Sequence, residues 1–160
     1  MKNYLEQPYF KLSLKKTMII LGILGLTPFI FGLLDILFNK QNLFFLINIP
    51  KNYGVIILTF LGSYYWGIIL SDKNNANLSN NVKILTVIWS IFPSIIGIIV
   101  LCIESYFSLI ILSMGYLICH IVDEIYNTLS LFPKWYINLR RSLSSIVIGI
   151  LSITYLIVSK

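Results

Sequence analysis

Charge is scarce in this sequence: six Asp or Glu and twelve Lys or Arg among 160 residues. Soluble domains carry about 25% charged residues, so 11% is too little to cover a water-facing surface of this size. One histidine, His120, excludes a histidine-rich metal site. The two cysteines, Cys102 and Cys119, sit inside apolar blocks without CxxC or zinc spacing, so both read as buried small apolar residues rather than a redox pair or ligands. There is no phosphate-binding glycine loop, no HExxH stretch, no Ser/His/Asp order and no paired-carboxylate cleft. Nothing here calls for a cofactor, a metal or an enzymatic activity.

What fills the chain instead is apolar. Hydrophobic residues make up 58% of it, with a mean hydropathy of +0.87. They come in blocks of about 20, the length that crosses roughly 30 Å of hydrocarbon as a helix. Five spans are expected, over about 17–38, 53–71, 82–103, 105–127 and 141–158. The predicted fold is all-α: a compact bundle of five transmembrane helices in one domain, residues 17–160, behind a basic N-terminus, residues 1–16. "NLFFLINIP" (Asn42–Pro50) is too short to span and reads as an interfacial segment or an extension of a neighbouring helix. The polar run Ser71–Asn81 is a loop, and spans three and four meet at Glu104 as an antiparallel hairpin. The first span is too long for the apolar core of a signal peptide and lacks an A-x-A-like site after it, so it reads as a permanent anchor.

The net charge of +6 belongs to residues flanking apolar spans, which argues for membrane orientation and against nucleic acid. With the N-terminus inside, Lys2, Lys11, Lys15, Lys16, Lys73, Lys83, Lys134, Arg140 and Arg141 are cytoplasmic, against Lys40, Lys51 and Lys160 outside. The positive-inside rule therefore predicts N-inside and C-outside. The N-terminus is not Arg-rich and acid-poor, which favours a bacterial inner membrane over a mitochondrial one.

Helices in lipid associate largely through small residues that let backbones approach. On a helical wheel, Gly22, Gly25, Pro28, Phe29, Gly32 and Asp35 share one arc of the first span, and Thr59, Gly62, Ser63, Trp66 and Gly67 share one of the second. Thr86, Ser90, Pro93, Ser94 and Gly97 do so in the third, Ser108, Gly115, Tyr116, Cys119, His120 and Asp123 in the fourth, and Ser142, Ser145, Gly149 and Ser152 in the fifth. These stripes are expected to face inward. Pro28 and Pro93 lie mid-span and read as packing kinks.

An ionisable residue on an inward face is a functional candidate, since unpaired charge in hydrocarbon is costly. Asp123 is such a residue; Glu124 is rotated toward the edge, and Asp35 and Glu104 reach headgroups. His120 is three and four positions before Asp123 and Glu124, within reach of either. Ahead of the fifth span, Pro133 can open a helix, Trp135 and Tyr136 suit an interface, and Arg140 and Arg141 suit an anionic leaflet. One arginine can neutralise Asp123; a helix continuous from Pro133 turns Arg141 toward the small-residue face and Arg140 away.

Four stretches, "LGLTPF" (Leu24–Phe29), "YGVIILTFLGSYYWG" (Tyr53–Gly67), "WSIFPS" (Trp89–Ser94) and "FPKWYINLR" (Phe132–Arg140), in this order resemble the domain-of-unknown-function 3429 family of small membrane proteins, which also takes in transmembrane protein 69 of mitochondria. The resemblance covers roughly Leu21 to Val158. It implies a helical protein of bacterial inner or mitochondrial membranes and brings no established activity, substrate or cofactor. The residues matching the pattern are Pro28, Tyr53, Gly54, Gly62, Trp66, Gly67, Pro93, Asp123, Pro133, Trp135, Tyr136 and Arg140. The family often reads G-x-H-W-G where Tyr65 stands in place of the histidine here, and it picks Arg140 where the wheel favours Arg141.

With the N-terminus inside, the distinctive residues fall in the cytoplasmic half: Tyr65, Trp66, Trp89, His120, Asp123, Arg140 and Arg141 are the expected lining of a polar pocket. Gly25, Pro28, Gly32, Gly62, Ser63, Gly67, Pro93, Gly97, Gly115 and Gly149 are the expected packing positions, and Trp135 and Tyr136 the interface anchors. The leading functional expectation is a non-enzymatic protein acting through a membrane-protein partner or a lipid. A small transporter or channel is second, and an intramembrane enzyme using Asp123 and His120 is third.

Overall fold

Pro28 has no N–H to give to the carbonyl of Leu24, four residues back. In the computed structural model, which describes residues 13–38, 43–70, 78–128 and 132–159, the first span breaks there. Helix α1 (Leu14–Leu24) ends in a turn at Gly25–Leu26, and α2 (Thr27–Phe38) begins one residue before the proline. The Thr27 hydroxyl takes over the Leu24 carbonyl at 2.7 Å. A kink within one helix was expected at Pro28; the proline instead occupies the first turn of a new helix, where a missing N–H costs nothing.

Helix α3 (Leu43–Leu70) starts well before Tyr53, so "NLFFLINIP" is, from Leu43 onward, an extension of the second span. Pro50 lies inside α3 and seats against Gly32 of α2, where an added Cβ would stand 2.9 Å from the proline Cδ. Helix α4 (Asn80–Cys102) is capped by the Ser79 hydroxyl accepting from Val82 N, and carries Pro93 in its interior. A short turn leads into α5 (Ser108–Thr128). Pro133 caps α6 (Lys134–Val158), which adds nearly two turns ahead of the expected start at Arg141. The described residues are helical with no strand. Five stretches, Leu14–Phe38, Ile47–Leu70, Asn80–Cys102, Ser108–Thr128 and Lys134–Val158, are long and apolar enough to cross a membrane, and they suggest a multi-pass membrane protein. The expected N-terminal arm and the loop after α3 fall mostly outside the described residues.

Helix α3 packs against α2, α4 and α5; α6 covers α5 and α2; α1 leans chiefly on α6 and buries no residue. Phe29, Leu58, Leu109, Leu112, Tyr116, Val100 and Leu151 form the sealed centre. The Tyr116 hydroxyl donates to the Gly54 carbonyl at 2.8 Å, tying α5 to α3. Lys51, expected in an outer loop, is buried in α3, and its amine reaches the carbonyl of Ile103 beyond the end of α4 at 3.5 Å. A cation there complements the helix dipole.

The small-residue rule holds where helices touch. A Cβ on Gly62 would lie 2.5 Å from the Ser90 carbonyl oxygen and 3.0 Å from Pro93 Cγ. On Gly97 it would meet Val55 at 2.9 Å, and on Gly115 Leu58 at 3.0 Å. Gly25 lies in the α1–α2 turn, its nearest neighbour being the Gly22 carbonyl oxygen. Two helices are rotated from expectation. On α3, Ser63, Trp66 and Gly67 face outward, and Val55, Leu58, Gly62, Tyr65 and Ile68 face inward. On α6, Ser142 and Ser145 are exposed and Gly149 meets nothing within 4 Å among the described residues; the buried stripe is Ile137, Arg140, Ser144, Val147, Leu151 and Thr154. Gly67 likewise meets nothing within 4 Å. Cys102 is also corrected: it is exposed at the end of α4, and only Cys119 is buried.

Gly62→Ala drives a methyl into backbone that cannot rotate away, so it is expected to lower stability by about 1–3 kcal/mol. Gly67→Ala has open space and gains helix propensity, for a change of about 0.5–1 kcal/mol in the stabilising direction. Thermal unfolding of both variants in mild detergent checks the pair.

Candidate functional site

The C-terminal ends of α3 and α5 and the N-terminal ends of α4 and α6 come together at one end of the bundle. Each helix contributes polar or aromatic residues from its inward stripe. Helix α3 brings Tyr64 and Tyr65, α4 brings Thr86 and Trp89, α5 brings Asp123 and Tyr126, and α6 brings Tyr136 and Arg140. Phe132, just ahead of α6, closes the group.

Asp123 is at the centre, 3% exposed. Its Oδ1 accepts from the Tyr65 hydroxyl, and Arg140 Nε lies 2.8 Å from its Oδ2. Arg140 itself is 5% exposed. The Nε–Oδ2 approach is an ion pair off the line of a straight hydrogen bond, and the Tyr136 side chain also meets the guanidinium. The guanidinium lies to one side of two neighbouring tyrosine rings, 5.9 Å from the centroid of Tyr64 and 5.8 Å from that of Tyr136. Cation–π contacts of this kind strengthen as water is removed.

Aromatic packing holds the pair in place. Tyr64 stacks on Phe132 at 5.5 Å and lies 5.1 Å from Tyr136; Tyr65 lies 5.0 Å from Tyr126. Thr86 donates its one hydroxyl proton to the Val82 carbonyl at 2.7 Å, so in the 2.8 Å contact with Tyr126 the tyrosine donates. Tyr126 is thereby fixed against Tyr65, and Tyr65 against Asp123.

The wheel's choice of Arg141 as partner of Asp123 is overturned. Arg141 is exposed and gives Nε and Nη2 to Glu124 Oε1 at 2.9 and 2.6 Å. The two neighbouring arginines thus take the two neighbouring acids, the inner pair buried and the outer pair wet. Of the other expected pocket residues, Trp66 is 49% exposed on the outer surface. Trp89 is half-buried, with its Nε1 lacking an acceptor among the described residues. His120 is half-buried and hydrogen-bonded to neither Asp123 nor Glu124. Trp135 receives the Lys15 amine over its ring at 5.9 Å, joining α1 to the start of α6. Tyr136, expected as an interface anchor, lies half-buried against Arg140. Among the described residues no group of His, Cys, Asp and Glu is arranged to hold a metal ion.

Beside the ion pair is a half-open cavity of about 360 Å³. Its walls come from α1 (Met18, Leu21, Gly22), α2 (Phe29), α3 (Tyr53, Ile57) and α6, which contributes Arg140, Leu143 and Ser144. On the α1 side the wall is Met18, Leu21 and Gly22, the last packed closely on Leu143. The cavity is lined mainly by apolar side chains, with Arg140, Ser144 and three tyrosines among them. Asp123 Oδ1 is taken by the Tyr65 hydroxyl, and Oδ2 faces Arg140 in the ion pair.

A family model described as "Protein of unknown function (DUF3429)" matches residues 14–156. No curated protein and no solved structure matches the chain.

Removing Asp123 leaves a buried unpaired cation, which costs about 3–5 kcal/mol in folded proteins. Tyr65→Phe forfeits a hydrogen bond to a charged acceptor, a loss of about 1.5–3 kcal/mol. Glu124→Ala breaks only an exposed pair, a loss of at most about 1 kcal/mol. Melting curves in one detergent are expected to rank the variants Asp123→Ala, Tyr65→Phe, Glu124→Ala from most to least destabilised.

Proposed function

Because the chain belongs to the DUF3429 family, for which no activity is described, we propose a role from its own site: a non-enzymatic, multi-pass protein of the bacterial inner membrane that holds an amphipathic molecule from the bilayer in an accessory or assembly role. The observation that carries this reading is the half-open cavity between α1, α2, α3 and α6, apolar along its walls and edged by the buried Arg140. Cavities of this size, with few polar groups among apolar walls, suit small amphipathic ligands. The charge distribution supports an N-inside, C-outside orientation, in which the ion-pair end would face the cytoplasm.

A transporter or channel ranks second. Its support is the broken first span and the proline-bearing helices α3 and α4. Against it, the inward carboxylate Asp123 is already held by Tyr65 and Arg140. An enzyme using Asp123 and His120 ranks third, since the two side chains are not hydrogen-bonded.

Purification in mild detergent followed by lipid extraction tests the reading. A lipid class enriched over a control membrane protein prepared alongside is the expected result; a lipid profile identical to the control would sink it. Orientation is checked separately with single cysteines introduced at residues 2 and 160 and an impermeant reagent applied from the periplasmic side. Labelling at 160 alone is expected, and labelling at 2 alone reverses the orientation.

A further inference from the structure

Water is a poor occupant of the cavity between α1, α2, α3 and α6. A water molecule inside a protein needs about two to four polar partners, and these walls withhold them. The guanidinium nitrogens of Arg140 are sealed from the space, and the Tyr116 hydroxyl is taken by the Gly54 carbonyl. Phe29, Tyr53 and Tyr116, grouped edge-to-face, present ring surface, and Met18, Ile57 and Leu143 present hydrocarbon. Two lining residues, Leu21 of α1 and Phe60 of α3, are also 63% and 67% exposed, which places the opening at the seam between those helices. Helix α1 leans chiefly on α6, so this seam stays open. Both helices belong to stretches long and apolar enough to cross a membrane; in a bilayer the seam opens on acyl chains.

The dimensions suit one such chain. From Tyr136 to Val147 the cavity follows α6 for about 16 Å at 1.5 Å per residue, close to one leaflet's share of a roughly 30 Å hydrocarbon core. Cations stand just beyond its near end. Met18 and Tyr136 line that end, and one turn before Met18 the Lys15 amine lies over the Trp135 ring. Lys16 and Lys134 are exposed in the first turns of α1 and α6, and neither first turn holds an acid. Among the described residues these three lysines form no ion pair: Asp123 is taken by Arg140 and Glu124 by Arg141. The step from Lys15 to Met18 is about 4.5 Å along the axis, a distance that glycerol bridges between phosphate and chain. Lysines at a membrane surface draw anionic lipids. A zwitterionic head brings its own cation to the lysines; a phosphodiester head without one does not.

We infer that the cavity seats one acyl chain of an anionic phospholipid, entering between α1 and α3, with its phosphate against Lys15, Lys16 and Lys134. This rests on the amphiphile-binding reading above and assigns it a chain seat and a head-group charge.

Native mass spectrometry of the full chain, delipidated in mild detergent, tests the head group. Two probes share their chains: dipalmitoylphosphatidylglycerol, anionic, and dipalmitoylphosphatidylcholine, zwitterionic. The wild type is expected to bind the anionic probe about tenfold tighter. The triple variant Lys15→Gln/Lys16→Gln/Lys134→Gln, changed only at exposed positions, is expected to bring the two within about twofold by weakening the anionic probe alone. Lys83→Gln, in the first turn of α4 and outside the cavity, is expected to keep the full preference. The chain seat is tested on the wild type with phosphatidylglycerol carrying a diazirine near the end of one acyl chain. Irradiation is expected to label Phe29, Tyr53, Leu143 or Val147, and excess unlabelled phosphatidylglycerol to suppress it. Equal binding of the two probes by the wild type, or a preference that survives the triple variant, overturns the inference while leaving amphiphile binding intact. Labelling confined to outward residues such as Ile98 of α4 overturns the chain seat. Binding of neither probe, with lipid still enriched on purification, overturns this inference alone. Neither probe bound and no lipid enriched overturns the amphiphile reading with it.

Discussion

The structure is organised around one buried ion pair. Arg140 and Asp123 have left water together, and taking either ion out of water costs several kcal/mol unless its partner is present. That cost constrains three helices at once. Helix α6 must turn Arg140 inward, α5 must turn Asp123 toward it, and α3 must present the Tyr65 hydroxyl to the remaining carboxylate oxygen. Tyr64, Phe132, Tyr126 and Tyr136 then close over the pair. Away from this end, apolar contact and glycine-mediated approach are joined by single polar ties, Tyr116 to Gly54 and Lys51 to Ile103.

The pair also explains why a cavity persists beside it. Helix α1 is separated from α2 by the Gly25–Leu26 turn and buries no side chain of its own. Its hold on the bundle is the Lys15–Trp135 contact and the approach of Gly22 to Leu143. A wall this lightly attached leaves room beside the ion pair. The site is thus a product of a strong electrostatic constraint on one side and a weakly packed helix on the other.

Much of the fold was readable from residue order. Length and apolarity marked five spans, and the small-residue stripes of the second half of span one, of span three and of span four are the buried faces found. The misreadings have a common cause. Helix α6 carries two stripes at helical spacing, Ser142–Ser145–Gly149–Ser152 and Ile137–Arg140–Ser144–Val147–Leu151–Thr154; of the first only Ser152 reaches a neighbouring helix, meeting Ser113 of α5. Composition favoured the smaller residues, because close backbone approach is a general rule in membranes. Arg140 overrides it, since a charge with a partner at hand is worth more than a methyl-sized gain in packing. On α3 the expected arc was displaced by about one residue for the same reason: Tyr65, not Trp66, has the acceptor. The resemblance pointed to Arg140 correctly where the wheel did not; the wheel placed Thr86 on an inward face, but nothing signalled Tyr126 or its contact with Thr86, because that depends on which helices become neighbours.

The sequence by itself determined that the chain is helical, that five segments are long and apolar enough to cross a membrane, and that a few ionisable residues are inward candidates. These follow from local quantities: hydropathy, spacing and the geometry of one helix. Which arginine meets Asp123, where the first span breaks, and that a cavity opens beside Arg140 were decided only by the tertiary structure. Those outcomes depend on several helices satisfying one another's charges and volumes at once. A single helix, whatever its pattern, holds no information about the face its neighbour presents.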